Sequence, residues 1–366
     1  MNIVLLEPYF SGSHKSWALG LQRYSRHKIK IISLPGKFWK WRMRGGAITL
    51  ANDFIKSSHK ADAILATDML DLTTFLSLTR SSTSKIPVAI YFHENQLSYP
   101  LPKNDNDLQN KHNRYYGFIN ICSALAADHV LFNSNYHNES FQNEGLKFLK
   151  NFPDNNELET MEIIQKKSKV LYLGMDLSRF NIHENIKKKD PLILWNHRWE
   201  YDKNPEPFIR NLYKLKDDGL SFKVAFLGES FDSKPYIFEE AKTRLKDQIV
   251  HYGYCNDFSD YAKWIWRADI LPVTSNQDFF GGSVVESMYC NTYPLLPNRL
   301  TYPELLPKEL HPKHIYADNE DLYSKLKNCV LNIDETRKFS QKKIFSFYDW
   351  KNIIESYDDL FESFIN

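Results

Sequence analysis

Cysteine is scarce in this chain: four in 366 residues, at positions 122, 255, 290 and 329. None forms a C-x-x-C pair, which excludes the usual zinc-site spacings and a disulfide framework and points to a reducing compartment, read as the cytoplasm. Long apolar runs are absent too. None reaches the roughly 18–20 residues of a membrane span, so no membrane partner is expected. Met1-Asn-Ile-Val-Leu-Leu-Glu7 has no basic n-region and no small-residue cleavage site; it reads as a first buried strand and not as a signal peptide. There is no repeat with a period of roughly 20–50 residues and no low-complexity tract. The chain has no G-x-G-x-x-G, which leaves a dinucleotide site unsupported, and no D-x-D-type signature in a suitable context, so neither cofactor nor metal is expected. Acidic residues are what the first sixty positions lack. Eleven Lys and Arg stand there against Glu7 and Asp53, a local charge of +9 in a chain whose net charge is +2. That end of the molecule suits a polyanion.

What is present is an alternation of short apolar runs with helical patterns. It predicts an α/β protein with parallel sheets. The length predicts two domains, and 42% hydrophobic content suffices for two cores. We place the boundary at 1–178 and 179–366, with the charged stretch 179–190 as linker. Trp350, Ile353, Ile354, Tyr357, Leu360 and Phe361 form an apolar stripe that predicts a last helix, about 349–364, docking on the first domain.

The most informative stretch is Asp278-Phe-Phe-Gly-Gly-Ser-Val-Val-Glu-Ser-Met-Tyr-Cys290. It reads as a strand end, a glycine turn and a helix start. Gly281 and Gly282 let a ligand approach the backbone, and the free amides and helix dipole suit a phosphate. Asp278 and Glu286 bracket that site and suit hydroxyls, so the pattern suggests a sugar nucleotide. Phe280 and Ser283 belong to the same turn. Upstream, a strand at Leu192–Trp195 leads into Asn196-His-Arg-Trp-Glu-Tyr-Asp-Lys203, where Arg198 and Lys203 supply two cations for a diphosphate leaving group.

Three stretches of the N-terminal half also follow predicted strands. Ser11, Gly12, Ser13 and His14 form a ligand-friendly turn before a helix. His93, Glu94, Asn95 and Gln96 follow the strand Pro87–Phe92 at the sheet edge where ligands bind in open α/β folds. Between Pro35 and Gly46, the cations Lys37, Lys40, Arg42 and Arg44 interleave with Phe38, Trp39 and Trp41, leaving through Gly45-Gly46. Cations neutralise phosphates and aromatic faces stack on splayed bases, the composition of a nucleic-acid surface. The competing reading is a loop whose aromatics turn back into the core.

The acid pair with seven residues between its members, centred on Phe-Gly, resembles the E-x7-E motif of retaining GT-B glycosyltransferases, with Asp278 where the first Glu usually stands. The likeness sharpens over Glu7–Lys15, Phe38–Arg42, Tyr91–Pro100, His197–Lys203 and Asp278–Gly281, which together resemble the tRNA-queuosine α-mannosyltransferase family from the first strand to beyond residue 300. The resemblance fits a prokaryotic member, shorter than animal members that carry a long charged insertion before His197. It implies a GT-B fold, two Rossmann-like domains facing across a cleft, with tRNA on the first and the nucleotide sugar on the second. It implies mannosyl transfer from GDP-mannose to the cyclopentenediol of queuosine in the anticodon of tRNA-Asp. Arg198, Lys203 and the amides of Gly281–Ser283 would stabilise departing GDP, Glu286 would hold ribose hydroxyls and Asp278 sugar hydroxyls. His93 would approach the sugar from the acceptor side and Tyr254 would meet the base. The acceptor hydroxyl would attack on the face the diphosphate leaves, without a protein base and without a metal.

Two other readings stay open on sequence. One is a bacterial GT-B transferase with another sugar nucleotide or a lipid or polysaccharide acceptor. The other is a non-catalytic tRNA-binding protein on a GT-B scaffold, which the joint presence of Arg198, Lys203, Asp278 and Glu286 disfavours.

Overall fold

Two parallel six-stranded sheets organise the residues described in the computed structural model, which are 1–57, 60–101, 114–184, 190–230 and 234–365. The helix start expected near Lys111 and part of the expected linker lie outside them. The chain divides into one compact unit of Met1–Asp176 with Tyr348–Asn366 and a second of Leu177–Phe347.

In the first unit the strands are β1 (Asn2–Phe10), β2 (Lys28–Pro35), β3 (Ala63–Thr67), β4 (Val88–Phe92), β5 (His129–Phe132) and β6 (Ser168–Val170), in the order β2-β1-β3-β4-β5-β6. Alternate residues Val4 and Leu6, Ile64 and Ala66, Ile90 and Phe92, Val130 and Phe132 enter one apolar core. Their neighbours Ile3, Leu5, Leu65, Ala89 and Leu131 are buried as well. Both faces are therefore covered, which is why these strands read as continuous hydrophobic runs. The helix Trp350–Glu362 closes this unit. Its Tyr357 hydroxyl accepts from Trp17 Nε1 at 3.1 Å and donates to the Tyr172 carbonyl at 2.7 Å.

The second unit repeats the plan with β7 (Leu192–Asn196), β8 (Lys223–Leu227), β9 (Ile249–Gly253), β10 (Ile270–Pro272), β11 (Tyr293–Pro297) and β12 (Ile315–Tyr316), in the order β12-β11-β10-β7-β8-β9. Ile193, Trp195, Val224 and Phe226 pack against Phe208, Leu212 and Phe238. Part of the expected linker is not a solvated tether: Ser178–His183 is a 3-10 turn whose Phe180 is fully buried, with Trp266 Nε1 donating to its carbonyl at 2.7 Å.

A second departure concerns 35–46. The segment does not leave through a glycine loop. A helix, α2, runs Trp39–Ser57 straight through Gly45 and Gly46. At Gly45 a Cβ would sit 2.6 Å from the Trp41 ring, which lies across the helix one turn back, so a larger residue would push that ring aside.

Candidate active site

Strand ends of the second unit deliver one dense polar group. β10 leads to Asp278, and Gly281 caps the helix Gly282–Tyr289 in the left-handed region, φ +80° and ψ 48°. A glycine takes that conformation without strain. No side chain caps the helix, so the amides of Gly282 and Ser283 begin it without an intrahelical acceptor. From the end of β7 come His197, Arg198, Asp202 and Lys203. The Lys203 ammonium is buried and reaches the Gln277 carbonyl at 2.8 Å, Asp278 Oδ1 at 3.0 Å and Asp202 Oδ2 at 3.3 Å. Gln277 and Asp278 accept hydrogen bonds from it, and Asp202 faces it as an ion pair. Burial disfavours its charge, but Asp278 and Asp202 outweigh that and raise its pKa. Asp278 Oδ2 accepts from Tyr302 at 2.5 Å. Burial alone would raise the Asp278 pKa; Lys203, His197 and the Tyr302 hydroxyl bring it below the ordinary carboxylate range.

His197 is buried and bonds Ser283 Oγ through Nδ1 at 3.2 Å. Burial, with Lys203 and Arg198 nearby, lowers its pKa to about 4, so it is neutral at pH 7. Arg198 differs from Lys203: its side chain is 46% exposed and pairs with Glu200 at 3.1 Å. Glu286 accepts from the Tyr261 hydroxyl at 2.6 Å and faces Arg179 at 3.7 Å. The Tyr261 hydroxyl also lies 3.0 Å from Asn196 Oδ1, whose amide nitrogen donates to the Ser283 carbonyl at 3.1 Å. The acids that bracket the turn are therefore each held by a tyrosine from a different element. Phe280, in the same turn, has its side chain buried. Tyr254 is exposed at the end of β9.

The first unit builds a separate buried group. Its His14 lies on α1 (Gly12–Tyr24), not at an exposed turn, and bonds Glu7 Oε2 at 3.1 Å. The His14 ring lies 4.2 Å from that of His93. Burial would strip the second proton from His14, but Glu7, with Asp68 and Glu94, overrides it and raises the pKa to about 9. His93 is the opposite case. Burial and the nearby His14 charge keep it well below its ordinary pKa, and its Nε2 has no hydrogen-bond partner. Its backbone is fixed: Asp68 Oδ1 accepts its N–H at 2.8 Å and Asn133 Nδ2 donates to its carbonyl at 2.9 Å. Burial, with Glu94 and Glu7, raises the Asp68 pKa against the pull of His14. Among the described residues, Glu7, His14 and His93 offer ligand-type atoms within 4.8 Å of one another. Glu7 and His14 are joined there by their 3.1 Å hydrogen bond.

The neighbouring loop sorts the remaining candidates. Asn95 is fully buried and its Oδ1 accepts from the Leu97 and Ser98 amides at 3.1 Å, which shapes the loop, while its Nδ2 has no hydrogen-bond partner among the described residues. Gln96 donates to Glu94 Oε1 at 2.8 Å, and both are half-buried. Ser11 caps α1 with its backbone, while Gly12 and Ser13 are exposed.

Along α2, Trp39 turns inward against Tyr116 at 5.1 Å, which moves it from the expected stacking face to a support role. Trp41 and Phe38 face outward, 60% and 75% exposed, and Phe38 has a positive φ of 54°. Lys37 and Arg44 are exposed, and the Arg44 guanidinium lies over Tyr115 at 4.9 Å. Lys40 lies over Trp39 at 5.7 Å, and Arg42 Nε donates to the Pro35 carbonyl at 3.1 Å.

A family model described as tRNA-queuosine alpha-mannosyltransferase N-terminal matches residues 2–175, and one described as Glycosyl transferases group 1 matches 178–343. The tRNA-queuosine alpha-mannosyltransferase of Drosophila melanogaster is 34% identical over 379 residues, spanning 100% of this chain and 97% of the relative. The chain belongs to the tRNA-queuosine alpha-mannosyltransferase family. A match of 379 residues to a chain of 366 leaves no room for a long insertion in that animal member, contrary to expectation.

Solved structures give this family member its fold. Anabaena HepE in complex with UDP matches at TM-score 0.68 and 14% identity, over 99% of this chain and 100% of its own. A glycosyltransferase from Rickettsia africae matches at 0.69 and 16%, over 100% and 98%. Sucrose-phosphate synthase from Thermosynechococcus elongatus matches at 0.68 and 11%, over 99% of both. The chain is a glycosyltransferase with the GT-B fold.

Sequence reasoning missed Glu7, Asp68, His197, Asp202, Arg179, Tyr261 and Tyr302. Glu7 carried a signal, an acid continuing the apolar run Ile3–Leu6, and Asp68 another, an acid ending a buried strand. Tyr302 carried none, since it reaches Asp278 from 24 residues away.

Proposed function

We propose that the protein transfers mannose from GDP-mannose, with retention at the anomeric carbon, to a hydroxyl of the queuosine cyclopentenediol in the anticodon of tRNA-Asp, in the cytoplasm. The observation that supports this best is the convergence, in a chain of this family, of Arg198, Lys203, Asp278, Glu286 and the Gly281 helix start in one group. The amides of Gly282 and Ser283, with Arg198, receive the diphosphate as its bond to the sugar breaks. Lys203, which among the described residues hydrogen-bonds only Gln277 and Asp278, joins them by turning a proton to a phosphate oxygen. Glu286, steadied by Tyr261, takes ribose hydroxyls, and Asp278 takes sugar hydroxyls. The leaving diphosphate accepts the proton of the attacking hydroxyl, so neither a protein base nor a metal takes part. His93, neutral and with Nε2 unpaired, meets a hydroxyl near the acceptor. Phe38, Trp41, Lys37 and Arg44 meet the tRNA.

The donor assignment is tested by offering GDP-mannose, UDP-glucose and UDP-galactose separately with queuosine-containing tRNA. Labelling from GDP-mannose, released by α-mannosidase and not β-mannosidase, is expected. Labelling from a UDP-sugar alone would overturn the donor.

A further inference from the structure

Asp278 stands where retaining GT-B enzymes usually carry glutamate, so its carboxylate is one methylene closer to the backbone. Two groups hold it in place. Lys203 lies 3.0 Å from Oδ1, and the Tyr302 hydroxyl donates to Oδ2 at 2.5 Å. Gripped at both oxygens, the carboxylate cannot turn about its Cβ–Cγ bond. Each oxygen keeps a second lone pair, and the side chain remains 19% exposed. One fixed edge therefore stays open to a ligand hydroxyl.

The Tyr302 side chain is fully buried in the 3-10 turn Tyr302–Leu305. Its ring carbon Cε1 lies 3.4 Å from the place a Cβ would occupy on Gly281, so one ring supports both the acid and the glycine turn three residues later. Burial and the Asp278 charge raise the phenol pKa well above 10, which keeps it a proton donor.

We infer that Tyr302 is a positioning residue for donor-sugar recognition, clamping Asp278 so that the shorter acid presents its free edge to a sugar hydroxyl. The inference rests on the reading of Asp278 as a sugar contact. A displacement of an aligned group by about 1 Å is enough to cost on the order of 100-fold in rate.

The test is a double-mutant cycle in the full-length protein with Tyr302→Phe, which keeps the ring, and Asp278→Asn. Transfer from GDP-mannose to queuosine-containing tRNA gives kcat/KM for the donor, and calorimetry gives the Kd for GDP. Tyr302→Phe is expected to lose about 10- to 100-fold in kcat/KM, with the GDP Kd within about twofold of wild type. In the Asp278→Asn background the same change is expected to cost less than about twofold. A Tyr302→Phe enzyme with unchanged kcat/KM overturns the inference. So does a full additional loss on Asp278→Asn, or a Tyr302→Phe chain that fails to fold or to bind GDP, since each makes the tyrosine a structural residue. Wild-type transfer by Asp278→Asn would instead sink the reading of Asp278 as a sugar contact.

Discussion

His14 and His93 lie with ring centroids 4.2 Å apart, and burial with unequal neighbours gives them opposite charge states. His14 holds its second proton to about pH 9 because Glu7 sits 3.1 Å away, whereas His93 remains neutral. The first unit thus presents one imidazolium and one neutral imidazole side by side.

That pair makes stability depend on pH with a definite sign. His14 has a folded pKa of about 9, above its ordinary 6.5. Its contribution is fully present below about pH 6.5 and is lost as pH rises through 9, at most about 3 kcal/mol by linkage. The melting temperature of the first unit should fall between pH 6.5 and 9. Glu7→Gln should lower it at pH 6.5 and flatten the dependence. A wild-type curve that is flat across this window would refute the ion pair.

Arg198 and Lys203 should separate into function and structure. Arg198→Ala removes a side chain that is 46% exposed; it should change stability by less than about 1 kcal/mol yet lower kcat by roughly 100- to 1000-fold. Lys203→Ala leaves Asp202 and Asp278 without their shared counter-ion and should cost about 3–5 kcal/mol. Urea denaturation beside the transfer assay reads both effects. Equal stability loss in the two variants would contradict the distinction.

The outward aromatics of the first unit should matter for RNA, and the inward one for folding. Trp41→Ala should weaken tRNA binding by about 1–3 kcal/mol, the scale of one stacked base. Trp39→Ala, against Tyr116, should instead destabilise the fold by about 2 kcal/mol. Lys37→Ala and Arg44→Ala should each lower the slope of log affinity against log salt by about 0.7–0.9. Fluorescence anisotropy with labelled tRNA at several salt concentrations decides these cases.

One hydroxyl of the docked C-terminal helix satisfies three buried groups of the first unit. Tyr357 accepts from Trp17 Nε1 at 3.1 Å and from the Gly174 amide at 3.3 Å, and donates to the Tyr172 carbonyl at 2.7 Å. Tyr357→Phe would leave these groups buried and unpaired and should cost about 2–3 kcal/mol. Hydrogen exchange should then show the helix Trp350–Glu362 opening before the sheet. Unchanged protection would contradict it.

Much of this architecture is legible from period and composition. Strands buried on both faces announce themselves as runs such as Ile3–Leu6, and the stripe through Trp350, Ile353 and Tyr357 marks the last helix. The turn at Gly281 and the acids around it follow from residue types at fixed spacing. Contacts made across the fold are not legible: nothing near Asp278 specifies Tyr302, and nothing near Glu286 specifies Tyr261. The inward turn of Trp39 depends on Tyr116, a partner distant in sequence. Nor does spacing specify that His14 is buried against Glu7, seven residues earlier.

The most direct measurement compares two tRNA pools incubated with the protein and GDP-mannose, one containing queuosine and one from cells unable to make it, followed by mass spectrometry of the nucleosides. A hexose mass added to queuosine in the first pool, and no labelled nucleoside in the second, is the predicted result. Equal labelling of both pools, or unmodified queuosine from a protein that binds GDP and tRNA, would contradict the account.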